Sequence, residues 1–312
     1  MSAAHLSPAS GLGVDRRRAR RRRGLRRTLE GWAFVGPATV LVLGLSIFPA
    51  AWSFLLSLQR WDGFSQPESI GVRNYAYALT DADLAAALLH TVFYTAMFVP
   101  ASVLVGLLLA VALNRRIRFI GLYRTAIFVP FVASAAATGI LTTYLFSPQF
   151  GLVNNVLRVL GLPPQGWLED QHQAMLVIAL MSLWGSAAFT TVLFLAALQD
   201  IPGELVEAAR IDGATSGQAF RHVVVPQLAP VALFATIWQT IQALQLFDLV
   251  YTTTRGGPLN ATQTVVYYLW NAAFQRTSFG YGSAIAWTLF VVTMLITIVV
   301  VLIGRRSRIE AF

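Results

Sequence analysis

The sequence of 312 residues contains neither cysteine nor lysine. Without cysteine, the chain has no disulfide framework, no thiol nucleophile and no cysteine-ligated metal site. Without lysine, it offers no Schiff-base residue and no lysine for a Walker-type phosphate-binding loop. All 23 basic residues are therefore arginines. These absences exclude thiol, Schiff-base and P-loop chemistry on this chain.

Charge is scarce as well. Only 12% of the residues are charged and 56% are hydrophobic, whereas about a quarter of the residues in a soluble domain are charged. Six apolar runs reach the about 20 residues that a helix needs to cross a hydrocarbon core. They cover residues 32–58, 88–113, 123–146, 174–198, 231–251 and 281–303. The runs lack the two-residue alternation of barrel strands, so the sequence predicts an all-α integral membrane protein with six transmembrane helices, kinked where prolines fall.

The distribution of arginine predicts the orientation in the membrane. Nine arginines lie between Arg16 and Arg27, immediately before the first apolar run. A positive-inside anchor that touches anionic lipid explains this block better than nucleic-acid binding. A twin-arginine signal is disfavoured because the following run is too long and lacks a small-residue cleavage site. With both termini in the cytoplasm, 18 arginines lie inside and five outside.

The loop between the fourth and fifth apolar runs, residues 199–230, reads QDIPGELVEAARIDGATSGQAFRHVVVPQLAP. Asp200 is expected to cap a helix whose first turn contains Pro202. Gly213 can adopt the left-handed conformation that ends this helix. Thr215 and Gln218 have the spacing of a capping box, which would start a second helix running to about residue 225. The sequence predicts a helix-turn-helix at this point.

This loop resembles the signature of the inner-membrane permease subunits of binding-protein-dependent ABC importers. That signature is an EAA sequence, a glycine after three intervening residues, and a Leu-Pro pair near the end. Here it is matched by Glu207-Ala208-Ala209, Gly213 and Val225-Pro226, with valine in place of the usual leucine. The resemblance covers nearly the whole chain from Trp32 onward.

The resemblance implies a type I ABC importer permease fold in a bacterial inner membrane, with the loop acting as a coupling helix against a separate ATPase. It implies as partners an ATPase dimer, a second homologous permease and an extracytoplasmic solute-binding protein. No cofactor is expected on this chain, because ATP and magnesium would be bound by the ATPase. The expected ATPase-coupling residues are Glu204, Glu207, Ala208, Ala209, Asp212, Gly213 and Pro226.

Several stretches resemble the carbohydrate-uptake group of that family, including Asn74-Tyr75, Tyr123-Arg124-Thr125 and Gly256-Gly257-Pro258. His90 departs from the group, which usually has asparagine there. The expected cargo is a sugar, an oligosaccharide or a polyol derivative such as a glycerophosphate. The expected organisation is a basic cytoplasmic tail 1–30, a first transmembrane helix 31–58, and a transmembrane domain 86–305 that contains the coupling loop 199–230.

The fifth apolar run carries polar and aromatic side chains that are costly to expose to lipid and should face the bundle interior. They suit a solute path because glutamine amides match sugar hydroxyls and aromatic rings can stack on a sugar. The alternative explanation for these polar side chains is that they form hydrogen bonds between helices. For Asp248, the alternative to a place in the solute path is a structural or gating role. The candidate path residues are Trp238, Gln239, Gln242, Gln245, Phe247, Asp248 and Tyr251.

No catalytic or metal-binding constellation is evident, so the chain is not expected to be an enzyme. The four histidines are scattered, and Asp81 and Asp83 are interpreted as solvated acids of an outer loop. An ion-gradient-driven secondary transporter is the main alternative, although it should have buried charges in several spans. A membrane scaffold or sensor is a further alternative, but it would not need the EAA loop.

Overall fold

A computed structural model describes residues 31–115 and 118–306. The predicted cytoplasmic tail 1–30 lies outside the described residues, and so do Arg116 and Arg308, two of the 18 arginines predicted to lie inside. The chain divides into two compact units with the boundary between Leu55 and Leu56. Helix α1 (Gly31–Ser57) begins in the first unit and contains a π-helical stretch at Leu43–Ile47.

The second unit consists of helices joined by short connections, with one small ribbon. The ribbon pairs strands β1 (Gln59–Arg60) and β2 (Glu68–Ser69) in antiparallel register. The helices are α2 (Arg73–Ala78), α3 (Ala82–Leu113), α4 (Ile120–Val132), α5 (Ala135–Leu145), α6 (Leu152–Val159), α7 (Ala174–Asp200), α8 (Gly203–Ile211), α9 (Ser216–Gln227), α10 (Ala229–Leu244), α11 (Asp248–Thr252), α12 (Val265–Trp270) and α13 (Phe279–Arg306).

Four of the described helices are long and apolar enough to cross a membrane, and counting each bent helix pair as one span gives six. This agrees with six transmembrane helices, but two spans are not continuous. The third run, predicted as one kinked helix, breaks into α4 and α5 at an angle of 102°. Ala133 and Ser134 adopt extended conformations there, and the Ser134 hydroxyl caps α5 by accepting from the amide of Ala137 at 3.2 Å.

The fifth run, predicted over 231–251, is also interrupted. Helix α10 ends at Leu244, and α11 begins only at Asp248 because Phe247 leaves the helical conformation. On the other side, α9 and α10 meet at Leu228 with a bend of 61° between the two halves. The break near the end of α10 places Gln245 and Phe247 on irregular backbone, which membrane proteins tolerate where it faces protein or a cavity.

The core of the second unit is built on the pair α3 and α7, which pack along one another. Close approach is possible because Gly106 of α3 faces Thr190 of α7. A Cβ atom at Gly106 would lie 2.5 Å from the Cβ of Thr190 and 3.0 Å from its carbonyl carbon. Small residues at helix interfaces permit this approach in membrane bundles, where dispersion contacts drive association.

Candidate functional site: a cavity between helices and a helix-turn-helix

A cavity of about 580 Å³ lies among α3, the α4–α5 break, α7 and the end of α10. Its polar and aromatic lining includes Tyr94, Phe98, Thr138, Ser182, Ser186, Phe189, Trp238, Gln239, Gln242, Gln245, Phe247 and Asp248. The volume falls within the range of small-molecule sites, which runs from about 300 to 1,000 Å³. Six of the seven candidate path residues therefore line one cavity. The seventh, Tyr251, stacks instead on Phe247 at 5.3 Å and packs edge-on to Trp270 at 4.9 Å between ring centroids.

Gln239 lines the cavity, and its side chain also forms hydrogen bonds between helices. Its side chain is only 2% exposed. The Nε2 amide donates to the Ser102 hydroxyl of α3 at 2.6 Å and to the Thr190 hydroxyl of α7 at 2.9 Å. Gln242 and Gln245, by contrast, are exposed. Gln239 thus fits the interpretation as a link between helices, while Gln242 and Gln245 remain candidates for the solute path.

Removing the Gln239 bonds should loosen the contact between α10 and the α3–α7 pair. Gln239→Leu leaves the fully buried Ser102 and Thr190 without this donor, at a cost of about 1 kcal/mol for hydrogen bonds between membrane helices. We expect a melting temperature lower by a few degrees in detergent. Gln242→Leu, at an exposed position of the same helix, is the control and should change the melting temperature little. Equal effects of the two substitutions would contradict a structural role for Gln239.

Residues contributed by other helices were not identified from the sequence. Tyr94 and Phe98 lie on α3 with their rings stacked at 5.2 Å, while Ser182, Ser186 and Phe189 come from α7. Their polar and aromatic character resembles ordinary helix packing. Only the neighbourhood of α10 reveals that they face a cavity.

The loop 199–230 folds as the predicted helix-turn-helix. The capping box is confirmed: the Thr215 hydroxyl accepts from the amide of Gln218, whose side chain accepts from the amide of Thr215 at 2.8 Å. Gly213 has the predicted left-handed conformation, with φ +86°. The prediction that Asp200 caps the first helix is wrong, because α7 continues through Asp200 and Pro202 takes the position before α8.

The expected coupling residues lie mostly on the outer surface of this helix-turn-helix. Glu204, Glu207, Ala208, Asp212, Gly213 and Pro226 are exposed, and Ala209 is half-buried. Ile211 at the end of α8 is 86% exposed, although sequence reasoning had not selected it.

The base of the helix-turn-helix is packed against the membrane helices. Leu228, between α9 and α10, is buried in a cluster with Ala110 of α3, Phe194 of α7 and Ala235 of α10. A smaller cavity of about 300 Å³ separates Arg210 and neighbouring residues of the turn from the ends of α3 and α7. Because Leu228 packs against α3, α7 and α10, a movement of α8 and α9 would displace three of the helices that surround the larger cavity.

At the other end of the bundle, Asp81 is not the solvated acid that the sequence suggested. It is 9% exposed and caps α3 by accepting from the amides of Asp83 and Leu84. Its Oδ2 atom accepts from the hydroxyls of Tyr268 and Tyr281, both at 2.5 Å. Asp83, by contrast, is exposed as expected. Asp81 thus ties α12 and α13 to the start of α3.

The surroundings of Asp81 act on its pKa in opposite directions. Burial raises the pKa, but the hydrogen bonds from Tyr268, Tyr281 and the amides of Leu84 and Asp83 outweigh it, so the pKa lies below the ordinary 3.8. Because the folded pKa is the lower one, the stability from this carboxylate is present above the unfolded pKa. It is lost as the pH falls through the folded pKa.

Asp81→Asn should therefore lower the stability at neutral pH by about 1–3 kcal/mol, because hydrogen bonds to a charged acceptor are stronger than neutral ones. Thermal unfolding in detergent between pH 7 and pH 3 measures this. The difference between the variant and the original chain should shrink below about pH 4, near the ordinary pKa of aspartate. Asp83→Asn is the control, and a difference that does not shrink at all as the pH falls from 4 to 3 would contradict the role of the charge.

The fold is that of a multi-pass helical membrane protein with a half-open, solute-sized cavity between its helices. Residues 84–309 match the family model described as the binding-protein-dependent transport system inner membrane component. The chain belongs to this family. It is a permease subunit of an ABC transporter and not an enzyme.

Relatives of known name match most of the chain. It is 38% identical to the lactose transport system permease protein LacF of Rhizobium radiobacter, over 84% of this chain and 89% of that protein. It is 33% identical to the trehalose/maltose transport system permease protein MalF of Thermococcus litoralis, over 89% of this chain and 94% of that protein. It is 32% identical to the sn-glycerol-3-phosphate transport system permease protein UgpA of Agrobacterium fabrum, over 85% of this chain and 91% of that protein.

Among solved structures, the fold is similar to that of a bacterial ABC transporter involved in the import of the acidic polysaccharide alginate. The TM-score is 0.81 at 20% identity, over 92% of this chain and 99% of that chain. The structure of a bacterial alginate ABC transporter in complex with an alginate pentasaccharide-bound periplasmic protein gives a TM-score of 0.81 at 19% identity, over 91% of this chain and 97% of that chain. These likenesses confirm the importer permease fold expected from the sequence.

Proposed function

We propose that this permease carries a sugar or a related polyol through the cavity beside α10, and that the α8–α9 turn couples this passage to a separate ATPase. The named relatives serve the transport of lactose, trehalose and maltose, or sn-glycerol-3-phosphate. The glutamine and aromatic lining supports the same class of cargo, because amides pair with hydroxyls and flat rings cover the apolar face of a sugar.

The observation that carries the coupling role is the exposed helix-turn-helix on a buried base. Glu207, Ala208 and Ile211 stand on its outer surface, while Leu228 is packed among three membrane helices. A partner that binds the outer surface and then moves would transmit that movement through the buried base to the helix bundle. Alternating access of a transport site requires such a two-state element.

The proposed assembly is supported by these surfaces and by membership of the family. Two ATPase subunits bind ATP and magnesium and hold the coupling helices on the cytoplasmic side. A second, homologous permease completes the pathway, and an extracytoplasmic binding protein delivers solute to the outer loops. Both termini of this chain lie in the cytoplasm, with the arginine tail against anionic lipid.

The experiment is purification of this permease from membranes, followed by identification of the bound subunits and by uptake in vesicles. We expect an ATPase subunit to co-purify and uptake to stop when ATP is depleted. Uptake that survives ATP depletion but collapses when the ion gradient is dissipated would contradict the proposal and favour a secondary transporter.

A further inference from the structure

The cavity beside α10 presents fixed acceptor oxygens to whatever enters it, and the first of them belongs to Gln239. The Thr190 hydroxyl has one hydrogen, which it donates to the carbonyl of Ser186 at 3.2 Å. In this arrangement it accepts from the Nε2 amide of Gln239 at 2.9 Å, and the Ser102 hydroxyl accepts from the same nitrogen at 2.6 Å. The Ser102 and Thr190 hydroxyls, 3.3 Å apart, therefore both face the amide nitrogen of Gln239.

The carbonyl oxygen of Gln239 is left over by this arrangement. It accepts no bond from any residue in the described part of the chain, yet every buried polar side-chain atom there has a partner. The oxygen therefore keeps some exposure, within a side chain that is 2% exposed overall, and Gln239 lines the cavity. A glutamine that is free to turn over could meet either a donor or an acceptor. Gln239 meets a donor only.

Asp248 adds a full negative charge to the same lining. It follows the break after α10, where it begins α11, and its side chain is exposed. Among the residues that line the cavity in the described chain, it is the one with a charge. Within a membrane bundle a single carboxylate acts over a longer range than it would in water, because the effective dielectric constant is lower.

We propose that this cavity selects neutral, hydroxyl-bearing solutes and rejects anionic ones such as sugar phosphates, sulfonates and uronates. Hydroxyl groups can donate to the Gln239 oxygen and to the Asp248 carboxylate, whereas an anionic group offers only acceptors and meets like charge. The inference rests on the proposed function and narrows it, since glycerophosphates are excluded from the cargo.

The absence of cysteine from the chain allows a direct test. Gln242→Cys places one thiol at an exposed position of the cavity lining. The assembled transporter is treated with a neutral hydroxyethyl methanethiosulfonate or with its anionic sulfonatoethyl analogue. The rate of modification of this chain is followed by intact mass spectrometry, and each rate is divided by that of a small thiol in solution.

We expect the neutral reagent to react about tenfold faster than the anionic one after this correction, as one like charge several ångströms away predicts. Adding Asp248→Asn should bring the ratio to within about twofold of unity. Asp83→Asn, which removes an exposed acid outside the cavity lining, should leave the ratio unchanged. A carboxylate that merely raises the thiol pKa slows both reagents equally and does not alter the ratio.

Equal corrected rates for the two reagents would overturn the proposal, and so would a ratio that Asp248→Asn does not change. A cysteine that neither reagent reaches would overturn it too, because a cavity closed to small solutes cannot select among them. ATP-dependent uptake of the natural cargo is measured separately on the unmodified chain. Loss of that uptake contradicts the proposed function, whereas a failed charge test with intact uptake contradicts only this inference.

Discussion

Gly213→Pro is expected to reduce ATP-dependent uptake by roughly tenfold or more, since misplacing a positioned group by about 1 Å has effects of that order. Gly213 has φ +86°, whereas the proline ring holds φ near −65°. The amide of Gly213 also donates to the carbonyl of Arg210 at 3.0 Å, and proline has no such hydrogen. The angle between α8 and α9 must therefore change, and with it the surface offered to the ATPase.

Two further substitutions separate loss of coupling from loss of folding. Ala209→Leu fills a half-buried position of the turn, and Ile211→Asp places a charge at an exposed apolar position without altering the backbone. Both should uncouple, with ATP hydrolysis continuing while uptake falls. Gly217→Ala is the control, because a Cβ at Gly217 meets nothing within 4 Å. Normal solute-stimulated hydrolysis and normal uptake in all three variants would refute the coupling role.

Gly106→Leu is expected to leave little folded protein in the membrane. Its first side-chain atom would already lie 2.5 Å from the Thr190 side chain and 3.0 Å from backbone, so α3 and α7 would have to separate. Overpacking a close-packed interior costs about 1–3 kcal/mol or more. Separation would also disturb the Gln239 side chain, which donates to Ser102 of α3 and to Thr190 of α7. Recovery of monodisperse protein after detergent extraction measures the effect.

Gly121→Leu is the matched control for this prediction. Gly121 is exposed on α4, and a Cβ there meets nothing within 4 Å. The same change of volume should therefore leave recovery near that of the original chain. If Gly106→Leu were recovered as well as Gly121→Leu, the close contact between α3 and α7 would not be a determinant of stability.

The elements that sequence predicted correctly depend on local rules. The capping box of Thr215 and Gln218 and the left-handed Gly213 each involve residues only a few positions apart. The span breaks were missed because hydropathy stays high across Ala133 and Ser134. Asp81 was missed because its tyrosine partners lie 187 and 200 residues away along the chain. Such contacts appear only when the helices are assembled.

The candidate solute path could likewise be predicted from the sequence only in part. Composition identified polar and aromatic residues of the fifth run as candidates, and six of the seven line the cavity. Nothing in the local sequence distinguished Gln239, held by Ser102 and Thr190, from the exposed Gln242. The difference arises from which helix each side chain meets, and this is a property of packing.

The most direct measurement is site-directed crosslinking from the α8–α9 turn in the assembled transporter. Ile211→Cys supplies the one thiol of this chain at a position that is 86% exposed. We expect a short thiol-directed crosslinker to capture an ATPase subunit, with a yield that changes when ATP is added, and we expect impermeant reagents applied to intact cells to leave this thiol unmodified. Modification from outside the cell, or crosslinking that never captures an ATPase, would contradict the coupling of this turn to ATP hydrolysis.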